Sequence, residues 1–294
     1  MDVRDRHDDK ETDGRDGHED EDNQTDLEDQ IHKYILGIWN NRRAARNVLV
    51  SVTGGTKIFT NTVKYLQQKI SDEIIDAFMA VNIEAHKSPI QYIKCSVMAL
   101  MLDPSQQHTV IETVFSASKL IGVCNLRGQH WVLCVIDMEQ KVIYIMDPIE
   151  KYAHVRNSCL LVHWKSFLQM RGQDVAGWRS IVCQNSRQPD MVSCGIICLM
   201  LASHYIKQGT VSCVPVTALQ VEGYRLHVLK TIILSQDIQT VSNLCRFCYL
   251  PDTGKRQDNW VGCDRCDVFW IHTACIKPSD KIWPDRVYIC PFCL

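Results

Sequence analysis

The chain has 294 residues, 46% of them apolar, which is enough for two domains and a sizeable core. Its formal charge of −2 is unevenly spread: the first 30 residues hold ten Asp and four Glu against four Lys or Arg, a net of −10 that leaves +8 for the rest. No secretory leader opens the sequence, no apolar run nears the ~18 residues that span a bilayer, and seven of the fifteen cysteines form one C-terminal pattern while eight are scattered, so a membrane protein and a secreted disulfide scaffold are both disfavoured and a soluble, intracellular, reduced chain is expected.

Residues 1–30 have almost no apolar side chains and read as a disordered acidic arm. It is either a solvated tail or a competitor with acidic substrates or nucleic acid for the basic body. Residues 31–56 read as a helical and linking segment: Ile31, Tyr34, Ile35 and Ile38 recur at helical spacing and lead into Arg42, Arg43 and Arg46, a solvated helix end or a nuclear-import signal. Gly54-Gly55 breaks the chain. A helix is predicted after Ser71, a candidate N-cap, with Asp72 and Glu73 in its first turn and Ile74, Ile75, Phe78 and Met79 on its apolar face. The stretch 93–102 is apolar and encloses Cys95, which nothing marks as reactive.

Three strands then follow. The first covers 119–125; the second opens at His130-Trp131 and runs through the β-branched stretch 132–136; after a turn at 137–140, the third runs from Lys141 and ends at Asp147. A helix over 160–170 and a strand over 178–183 lead to Gln188-Pro-Asp-Met-Val-Ser-Cys194-Gly195, where a loop becomes an apolar helix that stops at Gln208-Gly209. A last long helix is predicted over 215–236, with Leu219, Leu226, Val228, Leu229 and Ile232 as its stripe.

A cysteine where a loop becomes a helix has backbone N–H groups and a positive helix end beside its sulfur, and both favour the thiolate. Taken alone, Cys194 reads first as a buried structural cysteine. The difference lies upstream: His130 and Asp147 are seventeen positions apart, so one hairpin returns a carboxylate beside an imidazole, and Asp147 can fix the ring that takes the proton from Cys194. Gln188 can offer an amide to the oxyanion of an attacked carbonyl.

His-Trp, then Asp one hairpin later, then Gln-x5-Cys-Gly at a helix start resembles the ubiquitin-like-protein-specific cysteine proteases, which mature or deconjugate SUMO- and NEDD8-type modifiers. The likeness covers 57–236, within a protease domain assigned to 57–238, and rests on His130-Trp131, Asp147, Gln188 and Cys194-Gly195. It implies an α+β, papain-like fold with a central mixed sheet flanked by helices, and Asp72 as a contact to the modifier, though a helix start alone also explains that residue. Trp131 either covers the groove or fills core. The family commonly has Trp-Leu-Asn-Asp where this chain has Lys69-Ile70-Ser71-Asp72, so the aromatic cover over a diglycine tail is replaced by Lys69. A second pair, His163-Trp164, sits in a helix-like segment with no following strand pair and acid, and is a decoy.

Residues 243–294 form a separate module with four ligand pairs: Cys245-x2-Cys248, Cys263-x2-Cys266, His272-x2-Cys275 and Cys290-x2-Cys293. Each pair is half a tetrahedral site, and eight N and S donors complete two closed, structural Zn2+ sites. A segment of about fifty residues needs such metal because its own core is small. The order of pairs, with Trp270 two residues before His272, resembles a PHD finger. That implies interleaved ligands: Cys245, Cys248, His272 and Cys275 at one ion; Cys263, Cys266, Cys290 and Cys293 at the other. It further implies a histone H3 tail as partner, with Trp260 and Trp270 matching two positions of a methyl-lysine cage, although Trp270 also suits plain packing.

The expected function is therefore a nuclear cysteine isopeptidase or endopeptidase acting on a ubiquitin-like modifier, joined to a chromatin-directed finger, with no membrane partner. Its competitors are a related mobile-element protease acting on ubiquitin or a polyprotein, and a chromatin reader with an inert protease fold.

Overall fold

The structure, a computed structural model, describes residues 16–40, 47–110, 115–149, 153–184, 187–211, 215–251, 260–276, 287–290 and 293. Helix α1 (Asp16–Asn40) lays Ile31, Ile35 and Ile38 into the main core. It starts earlier than expected: residues 16–30 of the supposed disordered arm are helical, while 1–15, like Arg42, Arg43 and Arg46, lie outside the described residues. Once the stripe at 31–38 is anchored by packing, each added helical residue upstream gains a hydrogen bond at little cost.

The stretch expected to link this helix to the body is itself part of the core. β1 (Leu49–Thr53) and β2 (Thr56–Phe59) form a hairpin whose loop, Gly54-Gly55, holds φ of 56° and 74°, the left-handed backbone that two-residue hairpin loops demand. All five residues of β1 are buried. Thr53 Oγ1 donates to Ile232 O at 2.8 Å, and Asp237 N–H donates to Val52 O at 2.8 Å. The body therefore begins before residue 57.

After α2 (Thr60–Tyr65), Ser71 takes the N-cap position of α3 (Asp72–Ala85) without a side-chain capping bond. β3 (Gln91–Ile93) and α4 (Cys95–Met101) precede β4 (Lys119–Leu126), β5 (His130–Asp137) and β6 (Val142–Met146); α5 (Ala153–Met170) crosses to β7 (Arg179–Val182). The strands lie in the order β3-β4-β5-β6-β7, with both outer pairs parallel and the inner pairs antiparallel. Alternation along the central strands divides the core. Ile121, Val123, Leu133 and Val135 face one layer, and Leu120, Cys124, Val132 and Cys134 the other.

The first layer is filled by α3, by α6 (Cys194–Gln208) and by α7 (Ala218–Leu234); the second by α4 and α5. Helix α6 is apolar nearly all round because it runs through the interior, and Gly209 ends it at φ 71°, where the predicted stop lies. Trp164 of the decoy pair is buried at 1% exposure against Phe167 and Trp178 in the second layer. Helix α7 starts at a capping box formed by Thr217 and Gln220.

Beyond the short α8 (Ile238–Ser242), the hairpin of β8 (Trp260–Cys263) and β9 (Cys266–His272) has its own apolar cluster around Phe247, Phe269, Ile271 and Tyr288. Val48 enters that cluster, and Arg246, 4% exposed, donates from Nη1 to Leu49 O (3.1 Å) and Val50 O (2.8 Å). The module is thus docked on the start of β1.

Candidate active site and metal centres

Three elements deliver the chemistry. β5 begins with His130, the next strand ends one residue before Asp147, and α6 begins with Cys194. His130 Nε2 lies 2.7 Å from Asp147 Oδ1, both residues being buried; the same oxygen accepts the Ile149 N–H at 2.9 Å, which fixes the carboxylate. With Nε2 given to the acid, the buried Nδ1 has no hydrogen-bond partner among the described residues, and the ring interacts electrostatically with the Cys194 sulfur. The Trp131 N–H donates to that sulfur at 3.5 Å.

Ionisation follows from these contacts. Burial disfavours a charged imidazole, yet the hydrogen bonds and negative charges of Asp147 and Cys194 outweigh it and raise His130 to about 9. Burial likewise opposes a charged Cys194, but His130 and the Trp131 and Gly195 N–H groups bring its thiol below the ordinary range. The two shifts favour a thiolate–imidazolium pair at neutral pH. Neighbouring thiols behave oppositely: Cys198, fully buried on α6, and Cys95 are pushed up by burial and stay protonated.

A groove of about 340 Å³ leads to the sulfur, with Ile70, Ser71, Asn125, Gly128, Trp131 and Val192 among its walls. Trp131, 8% exposed, packs its indole in the core, donates from Nε1 to Ile70 O at 3.3 Å and lines the groove. Asp72, Lys69, Tyr65 and the exposed Met191 also line it. Burial and the adjacent Glu73 raise the Asp72 carboxyl. Asn125 Oδ1 is buried without a hydrogen-bond partner among the described residues and is a ready acceptor for a peptide N–H.

Gln188 is near the site but otherwise engaged. Its backbone N–H donates to Pro148 O at 3.0 Å, and its side-chain Nε2 donates to Asp190 O at 2.6 Å. One Nε2 hydrogen is thus held by the loop, and the second N–H of the amide is left to donate elsewhere. Missed in the sequence were Asn125, Met191 and a hydrogen-bonded chain from the exposed Asp190 through the buried Ser193 to the buried Arg225.

In the C-terminal module, Cys245, Cys248, His272 and Cys275 converge, as do Cys263, Cys266, Cys290 and Cys293, with the ligand atoms of each group within 4.8 Å of one another. This is the interleaved pairing. Cys266 Sγ and Cys290 Sγ are 3.8 Å apart, the edge of a tetrahedron with metal–sulfur bonds of ~2.3 Å. His272 Nδ1 is 3.3 Å from Cys248 Sγ, turned toward the same centre. Each group fits a metal ion. By register, Trp260 (opposite His272) and Trp270 (opposite Gly262) lie on one face of the hairpin. The Trp260 ring packs 4.2 Å from the His272 ring, whereas Trp270 is 41% exposed across Gly262, where a Cβ would meet its ring at 2.9 Å.

A thiol held by an imidazole–carboxylate pair beside a substrate-sized groove defines a cysteine-type hydrolase. Residues 104–225 match the family model described as the Ulp1 protease family, C-terminal catalytic domain, and these residues hold the chemistry of a cysteine-type peptidase. Its fold is similar to the C-terminal Ulp1 protease domain solved in complex with Smt3, the yeast ortholog of SUMO (TM-score 0.57, 17% identity, covering 71% of this chain and 94% of that one). It is also similar to a SUMO protease Ulp1 with an oxidised catalytic cysteine (0.56, 17%, 70% and 94%) and to the catalytic domain of the Chaetomium thermophilum Ulp1-like SUMO protease (0.53, 12%, 70% and 89%). No curated protein sequence matches the chain.

Proposed function

We propose that the chain is an isopeptidase or endopeptidase that cleaves after the C-terminal glycine of a ubiquitin-like modifier of the SUMO or NEDD8 type. The observation that carries this reading is the Cys194 sulfur at the foot of a groove, between the Trp131 N–H and a His130 ring oriented by Asp147 at 2.7 Å. The thiolate attacks the glycine carbonyl, and the imidazolium gives its Nδ1 proton to the departing lysine amine, leaving a thioester. Neutral His130 then takes a proton from water, whose oxygen displaces the sulfur and frees the modifier. The small walls at Ser71 and Gly128 suit an extended, glycine-ended tail.

The test is a panel of ubiquitin, SUMO and NEDD8 bearing C-terminal electrophiles. One of them attaches to the parent protein and to Cys183→Ala and Cys198→Ala, and none to Cys194→Ala. Attachment of ubiquitin alone would favour the ubiquitin-directed reading, and no attachment would leave a polyprotein protease or an inert fold.

The two Cys/His groups are read as structural zinc sites of a PHD-type finger, because N/S donors at tetrahedral separations suit that ion and four protein ligands leave no open position. Zinc, when bound, supplies folding energy to the module. A histone H3 tail as its partner, and a nuclear location, complete the proposal; the exposed Trp270 favours peptide contact on that face of the hairpin.

A further inference from the structure

Arg225 projects from α7 into the interior beside the catalytic turn and is 7% exposed. Nη1 donates to Leu66 O at 2.6 Å and Nη2 to Ser193 Oγ at 2.8 Å. Ser193, fully buried and immediately before Cys194, donates its own proton to Asp190 Oδ2 at 2.6 Å; Asp190 Oδ1 accepts the Val192 and Ser193 N–H groups at 2.9 and 2.8 Å. A cation, a hydroxyl and a carboxylate therefore run in series through the turn that starts α6.

Burying a guanidinium is costly unless negative charge answers it. Its direct partners here are a neutral hydroxyl and a carbonyl, and the negative groups that favour its charged form are Asp190, Cys194 and Glu222. The interaction is mutual, so a cation stabilised by a thiolate stabilises that thiolate in return. Groups that face Cys194 from other elements are His130 on β5, backed by Asp147; Asp72 on α3 and Cys95 on α4 share its groove, and Cys198 lies one turn along α6.

We propose that Arg225 is a positioning residue of the peptidase: through Ser193 it fixes the turn that presents the Cys194 sulfur, and its charge helps to keep that sulfur anionic alongside His130. This deepens the peptidase reading and rests on Cys194 as the nucleophile.

The experiment follows iodoacetamide alkylation of Cys194 against pH, by mass spectrometry on the full chain, beside thermal unfolding. Arg225→Gln moves the alkylation midpoint up, and Arg225→Lys returns most of that shift. Ser193→Ala breaks the link but keeps the charge, so it slows electrophile-probe attachment several-fold with little change in midpoint. A folded Arg225→Gln protein with the parent midpoint, even at lower Tm, overturns the proposal. Should that variant not fold, parent-like probe kinetics in Ser193→Ala overturn it instead. Alkylation requires no modifier, so a negative probe panel and an unmoved midpoint are separate failures.

Discussion

Gly195 and Trp131 leave no room between them: a Cβ on Gly195 would lie 2.9 Å from Trp131 Cδ1, and 2.1 Å from Ile70 Cγ2 on its other side. The absence of a side chain lets α6 press its first turn against β5, which brings the Trp131 N–H to the Cys194 sulfur. Gly195→Ala is therefore expected to lose about 1–3 kcal/mol of stability through overpacking and to react more slowly with the electrophile probe. Urea denaturation and probe kinetics on the same preparation check both; parent-like values would show that Ile70 can simply yield.

Asp147→Asn removes the negative charge that holds His130 Nε2, while its amide oxygen can still accept from the ring. The pH profile of the parent rises through a thiol pKa lying below its ordinary value and falls as the imidazolium loses its proton at about 9. In the variant, burial acts on the ring with less to oppose it, so the falling limb moves to lower pH and the active window narrows. Turnover falls by two orders of magnitude or more. Rates measured from pH 5 to 10 decide this, and an unmoved upper limb would refute the assigned ion pair.

His130, Asp147 and Cys194 were legible because a reactive cysteine at a helix start, a strand turn and a strand each leave local patterns. Arg225 was not, since an arginine beside Leu226 and Val228 reads as the wet side of an amphipathic helix, and only packing against Ser193 and Leu66 makes it interior. The hairpin at 49–59 was hidden for a related reason: its strands are four and five residues long and follow a helical pattern directly, so the glycine pair reads as a break rather than a turn. For Gln188 the chain position leaves open where the amide points, and that one of its two Nε2 hydrogens goes to Asp190 O is encoded by no sequence pattern.

Trp270 and Trp260 should separate in a peptide-binding assay on the full chain. Trp270 offers an open indole, while Trp260 is packed on His272, a member of one Cys/His group. Trp270→Ala is expected to weaken H3-tail binding at least several-fold with the fold intact. Trp260→Ala instead weakens metal retention, visible as faster zinc release to a chromogenic chelator. Equal loss of peptide affinity in both, with metal held, would favour a two-indole cage.

Arg246 makes the protease body and the metal module thermodynamically dependent on each other. Its guanidinium is buried with the Leu49 and Val50 carbonyls as acceptors, its own carbonyl accepts the Leu49 N–H at 3.1 Å, and its N–H donates to Trp270 O at 3.0 Å; the side chain thus reaches β1 from a backbone held between Cys245 and Cys248. Arg246→Met keeps much of the volume but strands two buried carbonyls, at a cost of about 1–3 kcal/mol each when no water replaces the donor. Chelation should act through the same contact. Once the Cys245 group lets go of its ion, the backbone that carries Arg246 loosens, and amide exchange should quicken at 49–53 as well as inside the module. In Arg246→Met only the backbone bond to Leu49 and the packing of Val48 remain, so chelation then speeds exchange at 49–53 less than in the parent. Unchanged exchange at 49–53 after chelation of the parent protein would mean that the two units touch without being coupled.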